Sequence, residues 1–479
     1  MKKIYAFFLL ALCIMWSSSC SDYLDFEETD LIAGEIALKT VENNESAIMG
    51  AYGAVDNVMG VLLNSVFSDE VKTAGEFYNA STNHEWKYGP ADVGLRDNYT
   101  AVDPQYRVID RVNRVLALVE KADSTRAGDN VLRSRLRGEA LFLRAFAHFE
   151  LYRFYSAKYA ADGLAMPYME VSSMTLQARI GSAEYFEKLN RDITEAKTLL
   201  PNNITDINRA NVVSANGLHA RIALYSENWA AAEAYATSYI DAIPLASLAT
   251  FPGIWTDANS AEQAYRIVRT AVHARVGSLY RNTSTVTQIG TIVWTVSNKL
   301  YDSYSNTDIR KAAYFKTDAT LATANRPNAS RPGLIINKYA GGAYGSATEN
   351  LVNSKMMRTS EMYLIRAEAR AEQNKISGVN SAESDLNALR AVRIADHVFT
   401  ALTSKDQAIS EIMTERYKEL AFEGHRFWDL KRRGLAVDRL SADAAGDGQI
   451  LPAGDFRFAL PIPDPEMKAN KLMKQNDGY

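Results

Sequence analysis

The stretch Ala220-Arg-Ile-Ala-Leu-Tyr-Ser-Glu-Asn-Trp-Ala-Ala-Ala-Glu-Ala-Tyr-Ala236 decides the fold class. Small and apolar residues recur on both sides of Glu227 and Asn228, which predicts two helices that join at this pair and pack closely together. Trp229 opens the second helix. Two short helices cannot bury their apolar faces alone, so further helices must stack against them. The sequence therefore predicts a helical hairpin inside a larger helical fold.

Helical periodicity extends to both sides of this hairpin. The predicted helices lie near 44–59, 104–121, 131–155, 182–199, 214–241, 355–372, 381–392 and 405–423. Residues 357–392 form a second predicted hairpin, in which Ala367, Ala369 and Ala371 allow close approach. Both hairpins resemble tetratricopeptide units, although the usual period of about 34 residues is not regular. The sequence thus predicts a mainly α fold of tetratricopeptide-like hairpins without a uniform solenoid.

Between residues 242 and 350 the helical periodicity fades. Gly, Ser, Thr and Asn become frequent, and short β-type runs appear, such as Thr291-Ile-Val-Trp-Thr-Val296. We predict that this segment is a loop-rich insert with minor strands and that it forms the ligand face. It separates an N-terminal helical region, 20–241, from a C-terminal helical region, 351–479.

The N-terminus has the pattern of an export signal. Lys2 and Lys3 precede an apolar run over 4–16, and Ser17-Ser-Ser-Cys20 follows. The run is shorter than the roughly 20 residues that a transmembrane helix needs. Cys20 after small residues resembles the lipobox of bacterial lipoproteins, although Ser17 stands where Leu is usual. We therefore predict a signal peptide over 1–19 and lipidation of Cys20, which would anchor the mature chain to the outer membrane.

The composition excludes several classes of function. The chain has 479 residues, of which 47% are hydrophobic and 23% charged, as in an ordinary globular protein. Its net charge of -4 argues against nucleic acid as a partner. Both of its cysteines, Cys13 and Cys20, lie near the N-terminus, which excludes disulfides, thiolate metal sites and a cysteine nucleophile from the mature fold.

The sequence contains no recognisable catalytic motif. Its 6 histidines show no metal-protease spacing, and no glycine-rich phosphate loop, Gly-x-Ser-x-Gly elbow or EF-hand loop occurs. We therefore predict no catalytic residue, no metal site and no cofactor. A pair of carboxylates for glycoside hydrolysis stays open, because such pairs meet only in the folded protein.

Aromatic residues outside the predicted helices are the candidate ligand contacts. Pyranose rings stack their apolar faces on flat aromatic side chains, and one such stack contributes only about 1 kcal/mol, so an arc of several rings is needed. The candidates are Asn83, Trp86 and Tyr88 in one segment, and Trp255, Tyr265, Tyr280, Trp294 and Tyr301 in the insert. Any one of them could instead be a core residue, and this alternative stays open.

Five signatures occur in order along the chain. They are Cys20-Ser-Asp-Tyr-Leu-Asp25, Glu139-Ala-Leu-Phe-Leu-Arg-Ala-Phe146, Tyr363-Leu-Ile-Arg-Ala-Glu-Ala369, Glu415-Arg-Tyr-Lys-Glu-Leu-Ala-Phe-Glu-Gly-His-Arg-Phe-Trp-Asp-Leu-Lys431, and the close Leu460-Pro-Ile-Pro-Asp-Pro-Glu466 with Gln475-Asn-Asp-Gly-Tyr479. Together they resemble the SusD/RagB family of bacterial surface lipoproteins. The resemblance implies a SusD-like α/α superhelical scaffold that acts as a lid over a SusC-like, TonB-dependent outer-membrane transporter. It also implies that Arg144, Glu368, Arg416, Glu423 and Trp428 belong to the scaffold.

The expected function is the capture of an oligo- or polysaccharide at the cell surface and its delivery to the partner transporter, without catalysis. Two alternatives remain, namely capture of peptides or glycopeptides by the same architecture, and glycoside hydrolysis. An exposed aromatic arc would favour glycans, whereas a cleft without exposed tryptophans would favour peptides. The sequence leaves open the identity of the glycan, the oligomeric state, the transporter contact face and any bound calcium.

Overall fold

The computed structural model describes residues 34–73, 82–283, 290–292, 294–317, 334–343, 346–444 and 446–479. The signal peptide over 1–19 and the acylated Cys20 lie outside the described residues. Export and lipidation therefore stay predictions.

The described chain is mainly helical, as predicted. In chain order the α-helices are α1 (Gly34–Ala37), α2 (Val41–Ala54), α3 (Val58–Phe67), α4 (Val93–Tyr99), α5 (Val102–Leu118), α6 (Asp129–Tyr155), α7 (Ser182–Leu199), α8 (Val212–Tyr225), α9 (Trp229–Ala242), α10 (Phe251–Trp255), α11 (Asn298–Asp302), α12 (Ile309–Tyr314), α13 (Thr359–Glu372), α14 (Ala382–Ala391), α15 (Lys405–Glu419), α16 (Arg426–Arg433) and α17 (Asp464–Ala469). The single helix predicted near 44–59 is two helices instead. The side chain of Asp56 accepts a hydrogen bond from the amide of Val58, which starts a new helix there.

The strands are short. They are β1 (Val71–Thr73), β2 (Gln263–Ile267), β3 (Arg281–Thr283), β4 (Gly290–Ile292), β5 (Trp294–Val296), β6 (Phe315–Thr317), β7 (Leu334–Ile336), β8 (Ser354–Arg358), β9 (Val437–Asp438) and β10 (Ile450–Leu451). They pair two by two and antiparallel, as β1 with β5, β2 with β8, β3 with β4, β6 with β7, and β9 with β10. Two of these pairs join the predicted insert to the helical regions, because β5 pairs with β1 and β2 pairs with β8.

Helices α8 and α9 form the predicted hairpin. The side chain of Asn228 accepts a hydrogen bond from the amide of Ala231 and so caps the start of α9. Glu227 takes a φ of +58° at the turn. Gly217 of α8 lies against Tyr239 of α9, and a Cβ added at Gly217 would lie only 3.1 Å from that ring. The missing side chain therefore allows the close helix approach that the small residues predict.

Helix α6 runs through the centre of the fold, and it is buried on all sides from residue 138 to its end. Polar side chains in such a position need partners. Arg144 meets this need by donating from Nε and Nη2 to the carboxylate of Asp192 at 2.6 and 2.8 Å. Glu139 accepts two hydrogen bonds from Arg209 at 2.9 and 2.8 Å. Arg144 thus holds α6 to α7, in agreement with a scaffold role.

The other implied scaffold residues have little exposed side chain, and they are Glu368, Arg416, Glu423 and Trp428. Arg416 Nε donates to Asp429 at 2.9 Å, which ties α15 to α16. Glu368 of α13 accepts a hydrogen bond from Arg432 of α16 at 2.7 Å. These two ion pairs therefore fasten α13, α15 and α16 to one another.

The last residues of the chain fold back onto the body. The side-chain amide of Asn476 donates to the carbonyl oxygen of Tyr155, at the end of α6, at 2.8 Å. The ring of Tyr479 lies edge-on to Phe456, with centroids 4.9 Å apart. Gly478 has a φ of +94°, and a Cβ added there would fall 2.4 Å from the Phe456 ring. Because of the positive φ and the nearby ring, this position needs glycine, which explains the glycine in the terminal Asp-Gly-Tyr sequence.

One helical stretch among the described residues, Val41–Phe67, has the length and hydropathy of a membrane-crossing helix. It consists of α2 and α3, whose apolar side chains pack into the main core of the fold. Core helices pass the same test, so this stretch is weak evidence for a membrane span.

Candidate functional site

The predicted contacts around Trp86 lie mostly in the core. Trp86 is 2% exposed, its Nε1 donates to the carbonyl oxygen of Phe67 at 2.9 Å, and the guanidinium of Arg439 lies 4.2 Å from its ring centre. Tyr88 is half-buried and stacks on Phe67 at 5.2 Å. Asn83 is buried as well. These contacts fix the segment to the body and leave little of the Trp86 ring for a ligand.

The predicted contacts in the insert follow the same pattern. Tyr265 in β2 and Trp294 in β5 are 1% and 7% exposed. Tyr280 is buried with its hydroxyl 2.8 Å from that of Ser65. Tyr301 is half-buried. These rings therefore do not stand in one exposed arc, because the strands that carry two of them pair with the helical body. Their role as ligand contacts stays a prediction.

Trp255 is the predicted residue that lies at a cavity. It is the last residue of α10 and lines a cavity of about 440 Å³, which is within the usual range for a small-ligand site. The described residues that line this Trp255 cavity are Pro252, Trp255, Thr256, Ala312, Ala313, Lys316, Asn337, Ala340, Gly341, Gly342 and Ala343. They come from α10, from α12 with β6, and from the turn after β7. The insert thus closes on itself to form the cavity.

The lining offers an apolar wall and a few polar groups. Pro252, Ala312 and Ala313 supply small apolar surface beside the indole. The side-chain amide of Asn337 is half-buried and makes no hydrogen bond with a residue that the structure describes. The buried Nε1 of Trp255 likewise has no partner within the described ranges. Apolar surface next to the unpaired side-chain amide of Asn337 is a combination that suits sugar rings with their hydroxyl groups.

Cations surround the Trp255 ring within the protein. The ammonium of Lys338 lies 4.0 Å from its centre and the guanidinium of Arg358 lies 5.0 Å away. Burial lowers the pKa of Lys338 to about 8, although Glu423 accepts a hydrogen bond from it at 2.8 Å. None of the described lining residues of the cavity is acidic, so they provide no carboxylate pair for hydrolysis. The described parts of the chain also contain no group of three His, Cys, Asp or Glu side chains placed for a metal ion.

Comparison with known proteins matches both halves of the chain. Residues 277–479 match the model of the SusD family, and residues 22–224 match a family model described as "Starch-binding associating with outer membrane". The chain belongs to the SusD family. The predicted resemblance is therefore confirmed, and so is the mainly α fold that it implied.

Relatives and solved structures agree with this membership. This SusD family member is 25% identical over 534 aligned residues to SusD-like protein P2 of Formosa agariphila, and the alignment covers 100% of both chains. A SusD superfamily protein from Bacteroides thetaiotaomicron has the same fold, with a TM-score of 0.77 and 22% identity over 91% of this chain and 99% of that chain. A structure described as a laminarin binding SusD-like protein aligns with a TM-score of 0.71 and 20% identity, over 92% of this chain and 100% of that chain.

The polar residues of the Trp255 cavity escaped the sequence analysis of this SusD family member. Asn337 and Lys316 lie outside the aromatic segments that the analysis followed. One signal was available, because Pro252 and Gly253 just before Trp255 are typical of the start of a short helix in a loop. Nothing in the sequence links that helix to residues 337–343.

A buried carboxyl group lies beside Tyr280. Glu70 accepts hydrogen bonds from the hydroxyl of Ser65 at 2.9 Å and from the amide of Phe422 at 3.1 Å. Burial raises the pKa of Glu70 to about 7, and these two hydrogen bonds only partly oppose the shift. The folded protein therefore binds this proton more tightly than the unfolded chain does.

Glu70→Gln should consequently change how stability depends on pH. A carboxyl whose pKa is raised in the folded state makes the wild type less stable as pH rises through the window between the unfolded value and about 7. The variant lacks this loss, so its free energy of unfolding relative to wild type should rise by roughly 3 kcal/mol between pH 4 and pH 8. Urea unfolding followed by circular dichroism measures the difference. The exposed Glu187→Gln is the control, and parallel pH profiles for Glu70→Gln and wild type would contradict the prediction.

Proposed function

We propose that the protein is a non-catalytic, outer-membrane lipoprotein that captures oligo- or polysaccharide at the cell surface. In this proposal Cys20 carries the lipid anchor, and a TonB-dependent, SusC-like transporter receives the glycan. The observation that carries the proposal is the match of both halves of the chain to SusD family models, one of them described as starch-binding and associated with the outer membrane. The likeness to a laminarin binding SusD-like protein supports the same class of ligand.

We further propose that the glycan contacts the Trp255 cavity. A stacked ring contributes about 1 kcal/mol and each hydrogen bond about 1 kcal/mol, whereas millimolar binding needs about 4 kcal/mol. Trp255 itself is 3% exposed, so Pro252, Ala312 and Ala313 supply the apolar contact surface, and Asn337 and Thr256 supply hydrogen-bonding groups. One apolar contact together with about three hydrogen bonds reaches this range.

A specific observation favours a second candidate, which is capture of peptides or glycopeptides. Trp86, Trp255 and Trp294 are all buried, so the described structure offers few flat aromatic faces to a sugar. A binding experiment must therefore contain both classes of ligand.

Filling the cavity should weaken glycan binding about tenfold. Ala312 is exposed and lines the cavity, so Ala312→Trp places an indole in its mouth without changing the core. Affinity electrophoresis of the chain from Ser21 onward, against a panel of neutral polysaccharides such as laminarin and starch and of acidic polysaccharides, measures the effect. We expect one polysaccharide to retard the wild type, with an affinity about tenfold higher than that of Ala312→Trp.

The matched control is Ala230→Trp, an equally large substitution at an exposed position of α9 outside the cavity. It should bind like the wild type. Equal retardation of Ala312→Trp and Ala230→Trp would exclude the Trp255 cavity as the site. Failure of every polysaccharide, with binding to a peptide digest in calorimetry, would replace the glycan proposal with the peptide candidate.

A further inference from the structure

A second groove lies outside the insert, between α11, α15 and α16. Its volume is about 570 Å³. The described residues that line it are Lys299, Ser303, Lys405, Asp406, Ile409, Ser410, Met413, Thr414, Tyr417, Arg426, Leu430, Arg433 and Leu435. Four of these are basic and one is acidic. Since the whole chain has a net charge of -4, this cationic groove is a local departure from the overall charge.

From this groove we infer that the glycan which the protein captures is acidic and that its carboxylate or sulfate groups bind here. The inference rests on the proposed glycan capture and adds a chemical class of ligand and a second contact surface. It does not involve the Trp255 cavity.

Arg426 is held in place for such a role. Its Nε and Nη2 donate to Asp69 at 2.8 and 3.0 Å, and its guanidinium lies 4.2 Å from the ring centre of Tyr417. Asp69 is 1% exposed, so the paired edge of the guanidinium points into the protein. The third nitrogen, Nη1, makes no hydrogen bond with a described residue. A guanidinium fixed in this way loses little freedom when it binds an anion.

Arg433 also has hydrogen-bond donors that no described residue accepts from. Only its Nη1 is used, at 2.7 Å from Glu372 and 3.3 Å from Glu368. Its Nε and Nη2 make no hydrogen bond within the described ranges, although 20% of the side chain is exposed. A carboxylate or sulfate can accept from two such neighbouring nitrogens at once.

The four basic groups of the groove share their internal carboxylates. Asp69 is shared between Arg426 and Lys299, which lies 3.0 Å away. Glu372 is likewise shared between Arg433 and Lys405, at 2.7 and 2.5 Å. Glu368, 3.3 Å from Arg433, is shared with Arg432 in the same way, and the exposed Asp406 also lines the groove. The guanidinium nitrogens of Arg426 and Arg433 that make no hydrogen bond with described residues, and not a large net charge, are therefore what the groove offers to an anion.

The floor of the groove is apolar, which suits a sugar acid better than a bare ion. Met413 and Leu430 are buried beneath the basic rim, and Ile409 is partly buried. A uronic acid or sulfated sugar has apolar C–H faces beside its charged groups. Such a ring can cover the floor while its anionic group meets Arg426 and Arg433.

Thr414 provides the sharpest test. It is exposed, lines the groove and carries no charge, so Thr414→Glu adds one negative charge without breaking an ion pair. Thr414→Gln is the neutral control of the same size. Affinity electrophoresis of the chain from Ser21 onward, against polygalacturonate and dextran sulfate with neutral dextran alongside, should show retardation by at least one acidic polymer. We expect Thr414→Glu to bind it about tenfold more weakly than Thr414→Gln, and sodium chloride to weaken binding further.

The other outcomes distinguish a failure of this inference from a failure of the proposed function. Binding of neutral polysaccharides alone would overturn the acidic ligand and leave glycan capture in place. Equal binding of the acidic polymer by Thr414→Glu and Thr414→Gln would show that the groove does not contact the glycan. Equal binding of polyglutamate would identify an acidic peptide as the ligand. Failure of every polysaccharide, neutral or acidic, would instead overturn the proposed function itself.

Discussion

Glu419→Gln should lower the free energy of unfolding by about 3–5 kcal/mol, because it removes the shared anion of a buried ion cluster. The Glu419 carboxylate is fully buried and accepts hydrogen bonds from Arg310, Arg358 and Arg393 at 3.1, 2.9 and 3.0 Å. Glutamine keeps the shape of the side chain and loses its charge. The three guanidinium groups would then share the remaining carboxylates, and at least one of them would be left without full compensation.

The charge of Glu419 persists in the folded protein at ordinary pH. Burial alone would raise its pKa, but Arg393, Arg358 and Arg310 outweigh burial and hold the pKa well below the usual range. The same guanidinium groups bind outward to further acids, as Arg393 does to Glu262 at 2.5 Å. The cluster therefore joins α15, the end of β8 and the turn after α14 to the insert, which contributes Arg310 of α12 and Glu262.

Urea unfolding at pH 7, followed by circular dichroism, measures the loss for Glu419→Gln. Asp103→Asn is the control, because it breaks an exposed pair with Arg107 on α5 and should change stability by about 0.5 kcal/mol or less. A loss below about 1 kcal/mol for Glu419→Gln would mean that the protein relaxes around the missing charge.

Trp428→Ala should cost about 3–5 kcal/mol of stability by leaving a cavity in the core. Trp428 is fully buried, and its ring centre lies 5.1 Å from that of Phe154 and 5.7 Å from that of Phe427. Trp428 therefore fills the space between α16 and the end of α6.

Trp428→Phe should cost much less, about 1–2 kcal/mol. The indole Nε1 of Trp428 is buried without a hydrogen-bond partner among the described residues, so phenylalanine removes an unsatisfied donor and breaks no hydrogen bond. Thermal and urea unfolding of the two variants measure the difference. Equal losses for Phe and Ala would show that the indole nitrogen has a partner that phenylalanine cannot replace.

The sequence predicted the helical body well, because its periodicity depends on neighbours within one turn or two. Helix α7 occupies Ser182–Leu199, as the apolar spacing and the acidic first turn indicated. The hairpin of α8 and α9 was predictable from Asn228 and the flanking small residues. The break between α2 and α3 was missed because it falls within a continuous apolar pattern, with only the local hydrogen bond from the amide of Val58 to Asp56 at the restart.

The candidate contacts were less predictable because a position outside a helix need not be exposed. Trp294 belongs to β5, whose pairing partner β1 lies more than two hundred residues earlier, with Val71 opposite Val296. The sequence placed Trp294 in a β-type run but did not show which strand it would pair with, and this pairing buries its ring. The Trp255 cavity was hidden for the same reason, since Asn337 reaches it only in the folded insert.

The contact between α3 and α16 also bears on how the chain folds while it is being made. The amide of Trp428 donates to the side chain of Asn64, and the two residues are 364 positions apart in sequence. At a synthesis rate of about 5–20 residues per second, roughly 20–70 s pass between the synthesis of α3 and that of this partner. Earlier elements such as α4 can cover part of α3 in that time, but the face that meets α16 stays uncovered. This face of α3 therefore acquires its partner only after residues 426–433 have been synthesised.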